Sequence, residues 1–291
     1  MEASFPNLRL LDHSAATREL DLASELFHRI NRIIPQDQVV LSVPPTCGVR
    51  EAIALMQKHG YSQVPVMEEG EVLGVFSFRS FARKAAHSTL DELNKEKCAP
   101  GDLTVDEFLE RFEFARVTEE MDRVFDAMDR DNGILVGTPE RLIGVLTPMD
   151  FLRYLYQVAS PFVLVSEIEL ALRALIRLGL SEEQIGAAAK RCLAAGYGED
   201  KVPATLEEMT FDNYHLLISH GDNWGQFEPL FGGTRTRTSA KLKEIGAIRN
   251  DLFHFKREIT IQDHQTLADH RNWLLYKIKQ AEVHRKAEVR P

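Results

Sequence analysis

Two periodicities of apolar residues alternate in the first half of the chain, and one dominates the second half. Val49, Ile53 and Met56 fall at i, i+4 and i+7, and Met121, Phe125 and Met128 repeat that spacing. Each set predicts an amphipathic helix, with a hydroxyl residue, Thr46 or Thr118, where an N-cap would stand. Two short β-rich runs follow each predicted helix. In the first unit they are Gln63 to Met67 and Val72 to Phe76, joined by Glu68-Glu69-Gly70-Glu71. In the second they are Gly133 to Val136 and Leu142 to Leu146, joined by Gly137-Thr138-Pro139-Glu140. Both units close on a similar string, Gly74-Val75-Phe76-Ser77-Phe78-Arg79-Ser80-Phe81 and Gly144-Val145-Leu146-Thr147-Pro148-Met149-Asp150-Phe151, and a helix is expected after each. A helix-strand-strand-helix unit present twice predicts one pseudo-symmetric domain rather than a solenoid. Ahead of it, Leu20, Ala23, Phe27, Ile30 and Ile34 keep a helical spacing that Pro35 ends.

From Pro161 onward helical stripes replace the alternation. Leu164, Ile168, Leu172, Leu175 and Ile176 form the first, with Gly179 as its stop. Ser181-Glu182-Glu183-Gln184 reads as a capping-box start. After a break at Gly196 and Gly198, helices are expected over 204–220, 221–231, 239–256 and 263–282, with a flexible loop from Phe231 to Thr238. The predicted organisation is a helical extension over 1–35, a repeat module over 36–160 and a helical bundle over 161–291. The fold class is α+β: an α/β repeat module followed by an all-α bundle.

In the predicted helix 239–256, Leu242, Ile245, Ile248, Leu252 and Phe255 make the buried stripe. At 3.6 residues per turn, Asn250 and His254 lie about 40° apart on the opposite face, whereas Arg249 lies about 140° from His254. Bringing Arg249 to His254 therefore requires a bent-over Arg, a helix break near Phe253, or a second copy of the helix across a two-fold axis.

Charge sharpens interest in this helix. The chain has 291 residues and a net charge of −9. Arg235, Arg237, Lys241, Lys243, Arg249, Lys256 and Arg257 nevertheless gather here, against Glu244 and Asp251. An anionic partner is the natural inference, and His-Arg-Asn chemistry suits RNA. Aromatic residues nearby, Tyr214, Trp224, Phe227 and Phe231, read as core filler. Apolar residues at 44% and charged residues at 27% describe an ordinary globular chain. The most apolar run, Pro161 to Leu180, is interrupted by Glu167, Glu169, Arg173 and Arg177, so no membrane span is expected. The first residues lack a basic-then-apolar signal pattern. Cys47, Cys98 and Cys192 show no metal spacing and suit a reducing, cytoplasmic setting.

The repeated closing motif, Gly-apolar-apolar-Thr/Ser-x-x-Asp, resembles that of a tandem CBS domain pair, a Bateman module, over roughly residues 36–160. The resemblance implies a regulatory adenine nucleotide of the AMP, ADP or ATP kind. Its ribose hydroxyls would meet Asp150, and Thr147 would meet ribose or phosphate. Thr118 and the backbone near Val117 would sit beside them, Ile134 and Leu135 would flank the adenine, and Arg153 would contact phosphate. A carboxylate that accepts two hydroxyl protons at once selects a cis-diol. Ser80 stands where the first repeat should carry its carboxylate, so one competent site is expected. An Asp three residues into a helix can also serve simply as a cap.

The second half is similar to a HEPN domain, which carries an Arg, a polar residue just after it and a His a few positions on; Arg249, Asn250 and His254 match. This resemblance implies a metal-independent endoribonuclease acting at the interface of a homodimer, with no cofactor for the chemistry. His254 would act as general acid or base, Arg249 would neutralise the phosphorane, and Asn250 would orient phosphate or histidine. The competing expectation is a non-enzymatic adenine-nucleotide sensor whose bundle binds RNA or a protein partner. A lower-ranked Arg-His pair is Arg257 and His264.

Overall fold

The structure, a computed structural model, describes residues 29–34, 39–87 and 99–288. The chain divides into two compact units, the boundary falling between Leu155 and Tyr156.

The first unit contains the two repeats. α1 (Val49–His59) leads to β1 (Gln63–Glu68), β2 (Glu71–Ser77) and α2 (Phe78–His87). The second repeat runs through β3 (Phe114–Ala115), α3 (Phe125–Asp131), β4 (Ile134–Thr138), β5 (Arg141–Leu146) and the start of α4 (Pro148–Gly179). Each repeat sets a parallel lead strand beside an antiparallel hairpin. Val43 bridges Val66 in parallel and β1 pairs antiparallel with β2; β3 pairs parallel with β4, and β4 antiparallel with β5. Both hairpins slip register at the same place, Val66/Met67 and Val136/Gly137. A glycine is required at the second slip. Gly137 has φ +123°, and a Cβ there would stand 2.2 Å from the Arg141 carbonyl.

The helical periodicity decides burial. Val49 and Met56 of α1, and Met121 and Met128 of the second repeat, are buried. Phe125 is partly exposed and lies edge-on to Phe151, with centroids 4.9 Å apart. The expected caps fail. Gly48 and not Thr46 is the N-cap of α1, and a short 3-10 turn, Met121–Val124, separates Thr118 from α3. The expected amino-terminal helix falls mostly outside the described residues; Ile30–Arg32 is a 3-10 turn. Its strand-like entry matters more: the Ile30 and Asn31 amides donate to the carbonyls of Glu119 (3.1 Å) and Val117 (2.9 Å).

The second unit is helical. The remainder of α4 is followed by α5 (Glu182–Tyr197), α6 (Phe211–Ser219), α7 (Gly221–Phe231), α8 (Arg235–Phe253) and α9 (Ile261–Glu288). One core joins Leu164, Ile168, Leu172, Leu175 and Ile176 of α4 to Tyr214, Phe227 and Phe231 and to Leu242, Ile245, Ile248 and Leu252 of α8. Burying such side chains is worth roughly 1.5–3 kcal/mol each, which is why the stripe survives as the legible signal. The Ser181 capping box is present, with Gln184 N–H donating to Ser181 Oγ at 3.3 Å and Ser181 N–H to Gln184 Oε1 at 2.8 Å. Two boundaries differ from expectation. Thr234 caps α8, so Arg235 to Thr238 are helical rather than loop. At the other end the helix stops at Phe253, and Phe255 takes φ +51° and is 73% exposed instead of buried. Proline did not break α4: Pro161 lies inside it. No helix among the described residues is long and apolar enough to cross a membrane.

Candidate functional site

The residues at the end of the second repeat converge because a strand runs directly into a helix. β5 ends at Leu146, paired with Ile134, and Thr147 follows as the residue before α4. Asp150 is the third residue of that helix. Its Oδ2 accepts from the Thr147 amide (3.0 Å) and from Thr147 Oγ1 (2.6 Å), while the Asp150 amide lies 3.3 Å from Thr147 Oγ1. This reciprocal pair satisfies backbone donors left free by the helix start. Oδ1 points the other way and meets Arg153 at 3.5 Å. The Asp150 side chain keeps 34% exposure and Arg153 60%, so the pair is in contact with solvent.

Ile134 and Leu135 are fully buried in β4. They form a wall through backbone and core, and Leu135 belongs to the inter-repeat cluster with Val75 and Phe112. Val117 and Thr118 are placed by the segment at Arg29 to Asn31. The Asn31 amide bonds the Val117 carbonyl, and Arg29 Nη1 donates to the Thr118 carbonyl. Periodicity could not have identified Arg29, since its partners are backbone carbonyls remote in sequence. Its guanidinium also approaches Glu120 at 3.8 Å.

The matching position in the first repeat is organised differently. Ser77 and Ser80 exchange amide-to-hydroxyl bonds at 2.9 Å, the same cap without the carboxylate. A carboxylate arrives from elsewhere: Ser77 Oγ donates to Glu110 Oε1, and Arg79 Nη2 holds Glu110 Oε2 at 2.8 Å. Arg79 further donates to the Arg130 carbonyl at 2.6 Å, tying the two repeats together. Glu110 is a residue that sequence reading missed, because its role depends on the strand-like bridge between Val75 and Glu110.

At the end of α8 the structure only partly assembles the expected trio. Arg249 Nη1 donates to Asn250 Oδ1 at 3.2 Å. Its guanidinium otherwise turns toward α4 and the helix end, with Nε 3.5 Å from Glu169 Oε1 and its carbon 4.8 Å from the Phe253 ring centroid. His254 lies just past the helix, its amide bonded to the Asn250 carbonyl at 3.1 Å and its residue exposed. The helix break near Phe253 therefore occurs, but it does not turn Arg249 toward His254. The lower-ranked pair separates too. Arg257 grips Asp251 (2.8 Å) and Asp263 (2.5 Å), whereas His264 Nε2 meets Ser160 Oγ at 2.6 Å. Burial lowers the His264 pKa below its ordinary value. Burial likewise raises the thiol pKa of Cys47, with Glu51 adding to it, and that of Cys192.

A family model for the CBS domain matches residues 23–87. Among curated proteins, the A-adding tRNA nucleotidyltransferase of Geobacter sulfurreducens is 26% identical over 159 residues, covering 49% of this chain. The chain spans only 17% of that relative's length. Among solved structures, a CBS-domain containing protein from Agrobacterium tumefaciens is 18% identical, over 43% of this chain and 96% of its own, at a TM-score of 0.36. CBSX2 in complex with AMP is 17% identical, over 45% of this chain and 98% of its own, at a TM-score of 0.38.

Proposed function

We propose that this chain is a nucleotide-responsive protein in which the second repeat binds an adenine nucleotide and the helical unit carries the output. The observation behind this reading is the half-used carboxylate of Asp150. One oxygen is occupied by Thr147, and the other is left with an exposed Arg at 3.5 Å. A ribose cis-diol can donate to that carboxylate, and Arg153 can move to a phosphate at small cost because an exposed pair is worth little. Thr118 and the Val117 backbone border the ligand, and the Ile134–Leu135 strand backs the base. The CBS-domain match over residues 23–87 supports the assignment of the fold type to which this chemistry belongs.

The test is calorimetric titration with AMP, ADP and ATP of wild type and Asp150→Asn. The Asn side chain can still accept from Thr147, so the cap and the fold persist while the charge is lost. The expected result is one nucleotide per chain and at least a tenfold weaker affinity, about 1.4 kcal/mol, in the variant. Absence of binding to wild type, or equal binding by both proteins, removes the site.

A second reading makes the output a metal-independent endoribonuclease acting in a homodimer. It is favoured by the exposed position of His254 beyond the end of α8. A 2'-hydroxyl would attack the adjacent phosphate, leaving a cyclic phosphate and a 5'-hydroxyl. His254 would transfer the proton, Arg249 would stabilise the charge and Asn250 would orient the reacting groups. Because Glu169 and Phe253 engage Arg249, this reading needs Arg249 released from them or supplied by a second copy of the chain. Ribonuclease assays of wild type and His254→Ala, each with and without nucleotide, decide it. RNA left intact by both proteins under every condition would leave the non-enzymatic sensor, with the helical unit binding RNA or a protein.

A further inference from the structure

The opposite end of α8 carries an assembly that neither reading uses. Arg235 and Arg237 stand exposed in its first turn, Lys241 follows at the next turn, and Lys277 comes from α9. The loop between α7 and α8 is folded close against them. Gly232, at φ +57°, brings its backbone so near that an added Cβ would stand 3.3 Å from Lys277 Nζ. Arg235 turns elsewhere: its Nη1 would stand 2.9 Å from a Cβ on Gly221, at the other end of α7. Lys241 Nζ lies 4.3 Å from the centre of the Trp273 ring.

These cations lack counter-ions among the described residues, as do Lys190, Lys243 and Lys279 of the same unit, whereas Arg173, Arg177, Arg249, Arg257 and Arg271 are each paired with a carboxylate. Among the described residues no carboxylate pairs with Arg235, Arg237, Lys241 or Lys277, and the first turn of α8 has no acidic residue. Lys277 donates only to the Gln280 amide, at 3.4 Å. Glu244, the nearest acidic influence on Lys241, is already bonded by His270 Nε2 at 2.8 Å. Burial lowers the Lys241 pKa, and the charges of Arg237 and then Lys277 lower it further, against the opposing effect of Glu244. Such a chain, net −9 overall, keeps this cluster against its own repulsion.

Beside the cations stands an open aromatic face. Tyr276 is 58% exposed, and its hydroxyl accepts from Gln280 Nε2 at 2.9 Å, which holds the ring. Lys277 Nζ is 5.8 Å from that ring. Arg237 and Lys241 lie about 40° apart on one face of α8, about 6 Å along it at 1.5 Å per residue, and Lys277 extends the row from α9.

The geometry points to a binding surface for single-stranded nucleic acid here, with successive phosphates held by Arg237, Lys241 and Lys277 and a base stacked on Tyr276. An acidic peptide would meet the cations but leave the ring without a flat partner. A mononucleotide would engage only part of the cluster. The surface lies about 25 Å along α8 from His254, so it holds a strand whether or not the strand is cut.

The experiment is fluorescence anisotropy of the full chain with a short 2'-O-methyl oligoribonucleotide, which cannot be cleaved by 2'-hydroxyl attack, across a salt series. Wild type is expected to bind with a log-log salt slope of about −2, from about three neutralised phosphates. The Arg237→Ala/Lys241→Ala protein should bind at least tenfold more weakly, with a slope shallower by about 1.4. Tyr276→Ala should bind at least fivefold more weakly with an unchanged slope. Lys277→Gln, a single conservative change, serves as a second test of the cluster should the double variant fold poorly, and is expected to weaken binding and reduce the slope by about 0.7. Undiminished binding by the folded cation variants overturns the assignment, as does no binding by wild type. Full competition by pyrophosphate at the strand's own concentration identifies a free-phosphate site instead and equally overturns it. Nucleotide titration at Asp150 and RNA cleavage at His254 are read separately, so either can fail without touching this result.

Discussion

Among the described residues the same local device, Thr-x-x-Asp at a helix start, occurs once in each unit. At Thr147–Asp150 and at Thr260–Asp263 the Thr amide donates to the carboxylate (3.0 and 2.8 Å), the Thr hydroxyl donates to the same oxygen (2.6 and 2.7 Å), and the Asp amide returns to the hydroxyl (3.3 and 3.1 Å). Nothing in the cap separates them. The surroundings do. Arg257 closes on both oxygens of Asp263 at 2.5 and 3.1 Å and leaves its side chain 15% exposed, whereas Arg153 touches Asp150 only at 3.5 Å and leaves it 34% exposed. Such a motif is a helix cap first. It becomes a ligand site only where tertiary neighbours leave an oxygen uncommitted, and Ser77–Ser80, with Glu110 brought in and clamped by Arg79, shows the position closed in a third way.

The largest effect expected from testing this contrast is at the closed cap. The hydrogen bond from Arg257, aided by those from Thr260, holds the Asp263 pKa at about 2, below the ordinary 3.8. A carboxylate with a depressed folded pKa stabilises the fold above its unfolded value, and that contribution is lost as pH falls from about 4 toward about 2. Asp263→Asn should therefore lower unfolding free energy at neutral pH by on the order of 1–2 kcal/mol, discounted for the partial exposure of Arg257. Urea unfolding across pH measures this, and the variant should lack the wild-type loss in that acid window. A variant as stable as wild type at pH 7 would mean that the Arg257 clamp contributes little.

A smaller effect is expected in the first repeat. Ser80→Asp restores the motif's carboxylate but sets it against Glu110, with only one Ser77 hydroxyl proton to share. A loss of about 1 kcal/mol is expected from unsatisfied acceptors and like charge. Adding Glu110→Gln should recover most of it. Equal stability of Ser80→Asp and wild type in urea would show that Glu110 does not occupy the place of the missing carboxylate.

The smallest effect is expected at the open cap. Arg153→Ala should change stability by no more than about 0.5 kcal/mol, because the pair is long and exposed. A larger loss in the same measurement would mean Asp150 is already committed within the chain, and would weaken the case for a ligand there.

Much of this was legible from sequence. Four of the five described strands (not β3), the buried stripe of α4 from Leu164 to Ile176 and the Ser181 capping box follow from local pattern alone. They are readable because apolar periodicity and cap chemistry act between residues a few positions apart. Phe255 shows the limit: it continues the α8 stripe by number, yet the chain leaves the helix two residues before it. Arg249 shows another, since helical angle alone does not reveal that Glu169, on a different helix, turns its guanidinium away.

The sequence by itself determined the repeated strand-strand-helix units, the helical second half and the Ser181 capping box, because those depend on neighbours along the chain. Tertiary structure decided how the cap of the first repeat is closed, because Glu110, 33 residues from Ser77, brings in the carboxylate that Arg79 clamps. Asp150 and Asp263 are identical in their local motif, and only the placement of Arg153 and Arg257 separates them. The physical reason is that availability is a property of unused hydrogen-bonding capacity and solvent access. Both are set by where the folded chain places neighbouring groups, close in sequence for Arg153 and Arg257 and remote for Glu110.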